Sequence, residues 1–396
     1  MQRLALTPLL AVTFAALAPA AAQPVAPGRA RARDLGVAPG VLAPGPWNAI
    51  TDVAGVRVGH TTVVEGDSVR TGVTAVLPHA GDLFRERVPA AVVVGNGFGK
   101  LLGSTQVTEL GELESPILLT CTLCVWRAAD AMVAWQLAQP GMERVRSINP
   151  LVAETNDGTL NAAIRSRPIA PAHVVAALEG ARAGPVAEGS VGAGTGTVAF
   201  GWKGGIGTSS RRLSAAAGGW TVGVLVQANF GGVLTVAGAR VGEALGRHPF
   251  VRATAPATDT AGRGSGANGS IIIVVATDAP LSDRNLRRLG ARALLGLGRT
   301  GSYASNGSGD YVIAFSTAAE VRRAVDAPRL ATRELGNGEE LSGLFAAAAD
   351  ATEEAIYDAL FTATTVSSRG GTVEAIPLDR VRAVLRAHGV GSTARR

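Results

Sequence analysis

The sequence predicts an α+β layered domain in which helices cover stacked sheets. Three observations carry this reading. Strand-like and helix-like stretches are mixed along the chain without a regular βαβ repeat. The run S-I-I-I-V-V-A at Ser270 to Ala276 has the β-branched content of a buried strand. Helical periodicity recurs at Arg127 to Ala138 and Pro171 to Arg182, and later at Asp283 to Gly298, Leu341 to Thr364 and Leu378 to His388.

Taken in order, the chain opens on Arg3, the apolar stretch Leu4 to Ala18 and the small-residue site Ala20-Ala21-Ala22. Residues 1–22 therefore read as a secretory signal, which makes the mature protein periplasmic or secreted. No later stretch reaches 18 apolar residues without polar interruption, so no membrane association is expected once the signal is gone. Residues 23–46, rich in Pro, Ala, Gly and Arg, are expected to form a loose arm, with order beginning at Trp47. Short β-branched runs follow at Ala49 to His60, Gly72 to Leu77, Ala90 to Val94 and Ile117 to Val125. Pro171 suits the first turn of its helix.

A glycine-rich middle, Gly189 to Gly207, leads to a strand-like Trp220 to Asn229. Arg252 to Gly269 is polar and aperiodic, the pattern of an exposed loop where nicking is tolerated. After the Ser270 strand, Ser282 can cap the next helix, and Tyr311 to Phe315 is a further short strand. The Leu341 helix carries Asp350, Glu353 and Glu354 on its expected polar side. The one internal boundary the pattern offers lies before Ser270; a break there would divide one fold into two chains, 47–269 and 270–396, not into two domains.

Composition narrows the function. With 396 residues, 47% apolar and 17% charged, the chain is globular and can bury a large core. Its net charge of +6 is dispersed, and the densest run, Arg284 to Arg292, reads as the solvated face of one helix. No aromatic residues alternate with the basic ones, which argues against nucleic acid. Cys121 and Cys124 sit in C-T-L-C inside an apolar run. If that run is a strand they point to opposite faces, so two buried thiols are expected in preference to a redox pair. The five histidines lack metal spacing, so no metal site is expected. Gly192 to Gly196 and Gly95 to Lys100 lack dinucleotide and phosphate-loop spacing and read as turns, some bordering a substrate pocket.

Ser270 opens a buried strand directly after Gly269. A serine hydroxyl needs a base within reach, and a chain-terminal serine carries one, its own amine with a pKa of about 7.7–8. Locally the signal is weak, since Gly-Ser pairs are common and a plain loop-to-strand junction is the default reading. The wider pattern is more specific. N-G-S-I-I-I-V-V-A-T-D-A-P-L at Asn268 to Leu281 is followed by G-L-G-R-T-G-S and N-G-S-G-D between Gly296 and Asp310. Earlier stand N-A-I-T-D-V-A-G-V-R-V-G-H-T-T from Asn48, R-T-G-V-T from Arg70, and E-T-N-D-G from Glu154. V-G-A-G-T-G from Val191 and K-G-G-I-G-T-S-S-R from Lys203 complete the set.

Together, over about Trp47 to Ser316, these blocks resemble the L-aminopeptidase D-amidase/D-esterase and β-peptidyl aminopeptidase family. The resemblance implies an αββα four-layer sandwich like that of N-terminal-nucleophile hydrolases, self-cleaved between Gly269 and Ser270. It implies Ser270 as nucleophile, with Ser308 and Asp310 assisting; some relatives carry glutamate in place of Asp310, whose reach is shorter. Asn229 is implied as a donor to the oxyanion, and Glu154, supported by Asn156, as the acceptor of the substrate's ammonium. Some relatives have a tyrosine where Thr159 stands, which leaves the count of oxyanion donors open.

The implied activity is release of N-terminal amino acids, α or β, from small peptides, amides or esters through an acyl-enzyme, without metal or organic cofactor. Processed heterodimers are implied to assemble as a homo-oligomer. The competing readings are an ornithine-acetyltransferase-like acyltransferase and an unprocessed periplasmic binding protein of the same fold.

Overall fold

The computed structural model describes residues 26–250 and 269–391. The expected signal, residues 1–22, and the loop expected at 252–268 lie outside them. Two sheets form the interior. The first has the order β1 (Arg57–Glu65), β2 (Val69–Leu77), β6 (Ile117–Cys121), β7 (Leu151–Thr155) and β4 (Leu101–Leu102). The second runs β10 (Gly205–Arg212), β11 (Thr221–Asn229), β12 (Ser270–Thr277), β13 (Gly309–Ser316), β3 (Glu86–Gly97) and β14 (Arg323–Ala324). In addition β5 (Glu112–Leu113) pairs with β3, and two small hairpins stand apart, β8 (Val198–Ala199) with β9 (Trp202–Lys203) and β15 (Val366–Ser368) with β16 (Gly371–Val373). The helices are α1 (Ser104–Leu110), α2 (Val125–Leu137), α3 (Pro171–Glu179), α4 (Val241–Ala244), α5 (Asp283–Arg299), α6 (Glu340–Phe361) and α7 (Leu378–Ala387).

Side-chain alternation in β12 shows how the layers are stacked. Every residue of β12 is buried. Ile271, Ile273 and Val275 share a core with Leu286, Leu289 and Ala293 of α5 and with Ala348 and Ala355 of α6. Ile272, Val274 and Ala276 share a second core with Ile117, Leu119 and Leu151 of the other sheet. A third core joins Val73, Ala75 and Val152 of that sheet to Met132 of α2 and Val174 of α3. The order is thus helices, sheet, sheet, helices, the αββα sandwich the sequence led us to expect. A strand enclosed on both faces has to be apolar throughout, and each such side chain contributes about 1.5–3 kcal/mol when buried.

Some expectations are corrected. Residues 26–46 are not a loose arm. Ala30, Ala32, Leu35 and Val37 are buried in the helix-side core. Arg31 pairs with Asp358 at 2.8 Å and Glu188 at 2.9 Å, and Arg33 with Glu354 at 2.8 Å. Composition suggested looseness, but alternation of Ala and Arg from Arg29 to Arg33 suits a segment laid across a helix bearing carboxylates. Asp350, Glu353 and Glu354 are accordingly buried, not solvated. The polar side of α6 meets cations from three directions, Arg33, Arg211 and Arg299.

The run Ile117 to Val125 is not one strand. It stops at Cys121, turns, and enters α2 at Val125. Cys121 and Cys124 therefore flank a turn, with Cα atoms 5.1 Å apart, and form a disulfide instead of two thiols. Face alternation governs a strand and has no hold on a turn. The first strand begins at Arg57, after a single helical turn at Ile50–Asp52. Ser282 occupies the cap position of α5 without a side-chain capping bond.

Arg211 is wholly buried and donates to Glu354 at 2.6 Å, to the Pro39 carbonyl at 2.8 Å and to the Asp350 carbonyl at 3.2 Å. Removing it takes one of two cations from the buried Glu354 and the donor from two buried carbonyls, so Arg211→Met should lower unfolding free energy by about 3–5 kcal/mol in chemical denaturation. A loss below about 1 kcal/mol would mean that this cluster does not hold the segment.

Candidate active site

The register of β12 assembles the site. Antiparallel pairing sets Asn229 directly across from Ser270, and parallel pairing sets Gly309 beside Ser270 on the other flank. Directly opposed residues on antiparallel strands share a face, with Cβ atoms about 4.5–5.5 Å apart. Ser270 also shares the face of Ile272 and Val274, so its hydroxyl points between the two sheets. It is 5% exposed. The Gly309 N–H lies 3.2 Å from the Ser270 Oγ and 3.3 Å from the Gly269 carbonyl oxygen. One donor thus touches both the hydroxyl and the carbonyl that precedes it. At position 269 a Cβ would stand 2.2 Å from the Asn229 carbonyl oxygen, so only glycine lets the chain pass.

Ser308 and Asp310 flank Gly309. The Ser308 hydroxyl donates to the Asp310 Oδ1 at 2.5 Å, and the Asp310 Oδ2 is buried without a partner. Burial pushes the Asp310 carboxyl up to about 6, against the opposing pull of the Ser308 hydroxyl. The N-G-S-G-D segment is not a hairpin: Gly309 already belongs to β13, which runs parallel to β12 and antiparallel to β3.

Asn229 is held at both ends of its amide. Its Oδ1 accepts from the Val198 N–H at 2.8 Å, and its Nδ2 donates to the Asn156 carbonyl at 3.1 Å. One amide N–H remains for another acceptor. Asn156 does not support Glu154 as expected. Its side chain accepts from the Gly158 N–H at 3.0 Å, an Asx turn, and the backbone carbonyl is what serves the site. Thr159 is exposed.

Glu154, next to last in β7, is buried at 4% exposure. Its Oε1 accepts from the Lys100 N–H at 3.1 Å and lies 3.4 Å from the Lys100 Nζ, while Oε2 is buried with no partner. Gly99 joins this carboxylate to the nucleophile's side. A Cβ there would lie 3.4 Å from Glu154 Oε1, 3.1 Å from the Gly309 Cα and 3.1 Å from the Tyr311 ring. Gly95 to Gly97 thus end β3 instead of forming the turn expected there, and the bend at Phe98 and Gly99 that follows lines the space between Glu154 and Gly309.

Lys100, whose ammonium also reaches Thr122 at 2.8 Å, was missed by sequence reasoning, as were the Val198 and Gly309 N–H groups. A usable signal existed for Lys100: only two of the 37 cationic residues are lysines, Lys100 and Lys203. Among the described residues no cluster of His, Cys, Asp and Glu could hold a metal ion, and no helix is long and apolar enough to cross a membrane.

A serine heading the central strand, a glycine carbonyl behind it and an αββα frame around it define a hydrolase of the N-terminal-nucleophile fold. Residues 48–374 match the model of peptidase family S58, and the chain belongs to that family. It is 43% identical over 371 residues to the beta-peptidyl aminopeptidase BapA of Sphingosinicella microcystinivorans, which covers 90% of this chain and 92% of that protein. It is similar to the solved structure of a Burkholderia sp. beta-aminopeptidase, with a TM-score of 0.81 at 43% identity. That match covers 91% of this chain and 99% of the other. The L-aminopeptidase D-Ala-esterase/amidase of Ochrobactrum anthropi, described as a prototype for serine aminopeptidases, matches with a TM-score of 0.80 at 38% identity. Coverage is again 91% of this chain and 99% of that one.

Asp310 accepts protons only when ionised. With its carboxyl raised to about 6, turnover of an aminoacyl p-nitroanilide, already falling as a terminal amine of pKa about 7.7–8 protonates, should show a second, steeper acid limb through about 6, not through the ordinary carboxylate range near 4. Asp310→Asn should lower the rate at neutral pH at least about tenfold and erase that acid limb. Retention of the limb in the variant would assign it to another group.

Proposed function

We propose that this chain is an exported, self-processing serine aminopeptidase that releases N-terminal amino acids from small peptides, amides or esters. The observation carrying the proposal is the single Gly309 N–H shared by the Ser270 Oγ and the Gly269 carbonyl oxygen. That contact supports attack of the hydroxyl on the carbonyl just before it. The hydroxyl adds to the Gly269 carbonyl carbon, the Gly269–Ser270 amide opens, and an ester joins Gly269 to Oγ. Water cleaves the ester, giving a Gly269 carboxylate and a free Ser270 amine. Freed at pKa about 7.7–8, that amine is a base on the same residue as the nucleophile.

In turnover the Ser270 hydroxyl attacks the carbonyl of the substrate's first residue while the amine takes its proton. The free Asn229 N–H faces the charge that develops on oxygen. The amine product leaves with a proton, and water releases the acyl group. The unpartnered Oε2 of Glu154 supports capture of the substrate's ammonium, which would restrict the enzyme to uncapped N-termini. Ser308 and Asp310 orient the amine or shuttle its proton.

Intact mass and N-terminal sequencing test this directly. Wild-type protein should consist of two fragments, the smaller beginning at Ser270, whereas Ser270→Ala should stay as one inactive chain. An uncut wild-type chain that binds ligand without turnover would support the binding-protein reading, and transfer of the acyl group to an amine acceptor in preference to water the acyltransferase one. Glu154→Gln, in split enzyme, should raise KM about 10–100-fold, the worth of one charge-assisted hydrogen bond. An unchanged KM would remove Glu154 from the ammonium site.

A further inference from the structure

Lys203 opens the K-G-G-I-G-T-S-S-R motif and Asp157 stands within E-T-N-D-G, yet neither has a part in the chemistry above. Both are buried, Lys203 completely and Asp157 at 1% exposure. The Lys203 ammonium donates to the Gly194 carbonyl at 2.7 Å and the Gly204 carbonyl at 2.9 Å. The Gly204 N–H donates to the Thr197 carbonyl at 3.0 Å, and the Thr197 hydroxyl returns to Gly194 at 2.9 Å. The loop from Gly194 to Gly204 is thereby closed around one cation. The residue after Thr197 is Val198, whose N–H holds the Asn229 Oδ1.

The other end of the Asn229 amide rests on the Asn156 carbonyl, and Asp157 is the next residue. Asp157 Oδ1 accepts from Asn161 at 3.0 Å, and its Oδ2 is buried without a hydrogen-bond partner. Loop and turn touch: a Cβ on Gly196 would lie 2.9 Å from the Asp157 Cβ. The opposite charges attract across this contact, each partly offsetting the cost of burying the other.

We propose that Lys203, with Asp157, is a positioning residue for the oxyanion donor: it locks together the loop and the turn that grip the two ends of the Asn229 amide. This rests on the reading of Asn229 given above. The residue type fits the role. In a chain whose cations are otherwise almost all arginine, a compact ammonium is retained where two carbonyls converge in a closed space that a planar guanidinium cannot occupy.

The test is a double-mutant cycle on wild type, Lys203→Met, Asn229→Ala and the double variant, read on the rate of chain splitting and on turnover of an aminoacyl p-nitroanilide. Asn229→Ala should cost about 10²–10³ in rate. Lys203→Met should cost about 10–100-fold in kcat with KM changed less than about threefold, and Lys203→Arg should not rescue it. The double variant should be no slower than Asn229→Ala alone, within about threefold, because both changes remove one function.

Should Lys203→Met not fold, the isosteric Asp157→Asn takes its place in the same cycle. A loss of about threefold or more in kcat, absent when Asn229 is already Ala, is expected. Full activity of Asn229→Ala would sink the reading of Asn229 itself. A normal Asn229→Ala effect beside an active Lys203→Met, or losses that multiply in the double variant, would overturn the role of Lys203 alone.

Discussion

The site depends on the position of one strand, β12. It is enclosed by helices on one face and by the second sheet on the other, and it is flanked by an antiparallel neighbour and a parallel one. Antiparallel pairing sets the Asn229 side chain across from Ser270, while parallel pairing delivers the Gly309 N–H to the serine's other side. A slip of one residue in either pairing would turn side chains to the wrong face and take the donor from the hydroxyl. The six residues after Ser270 are all apolar and, like Thr277 after them, buried, so packing fixes that register.

Much of this was legible in the sequence, for a physical reason. The S-I-I-I-V-V-A run is apolar on both faces, and only an interior strand tolerates that. Ser270, Asn229, Ser308, Asp310 and Glu154 lie on strands or directly beside strand starts, so motif and local structure agree about them. What stayed hidden was mostly backbone. The N–H groups of Gly309 and Val198 and the carbonyl of Asn156 serve the site without regard to their side chains, and a sequence carries no mark of them. Asn156 was singled out for a side chain that turned out to bond its own loop.

The other misreadings share a cause: composition was weighed where partners decide. The arginines near the start of the described chain looked like those of a solvated tail. Their carboxylate partners, Glu354 and Asp358, lie more than 300 positions away, beyond the reach of any local pattern. The same distance made Glu354 look like a surface acid. The cysteines were misjudged because a strand was extended four residues past its end.

The seating of those arginines bears on what the molecule would be if, as proposed, its backbone were opened before Ser270. Arg31, Arg33, Asn48 and Arg211 lie upstream of that point, and Glu354 and Asp358 downstream. Strands β12 and β13 are likewise threaded between β11 and β3 of the upstream part. The two pieces would therefore share one sheet, one set of cores and one buried ionic knot. Separating them would require melting the whole sandwich, so the severed molecule should behave as a single cooperative body, its halves as inseparable as they were when joined.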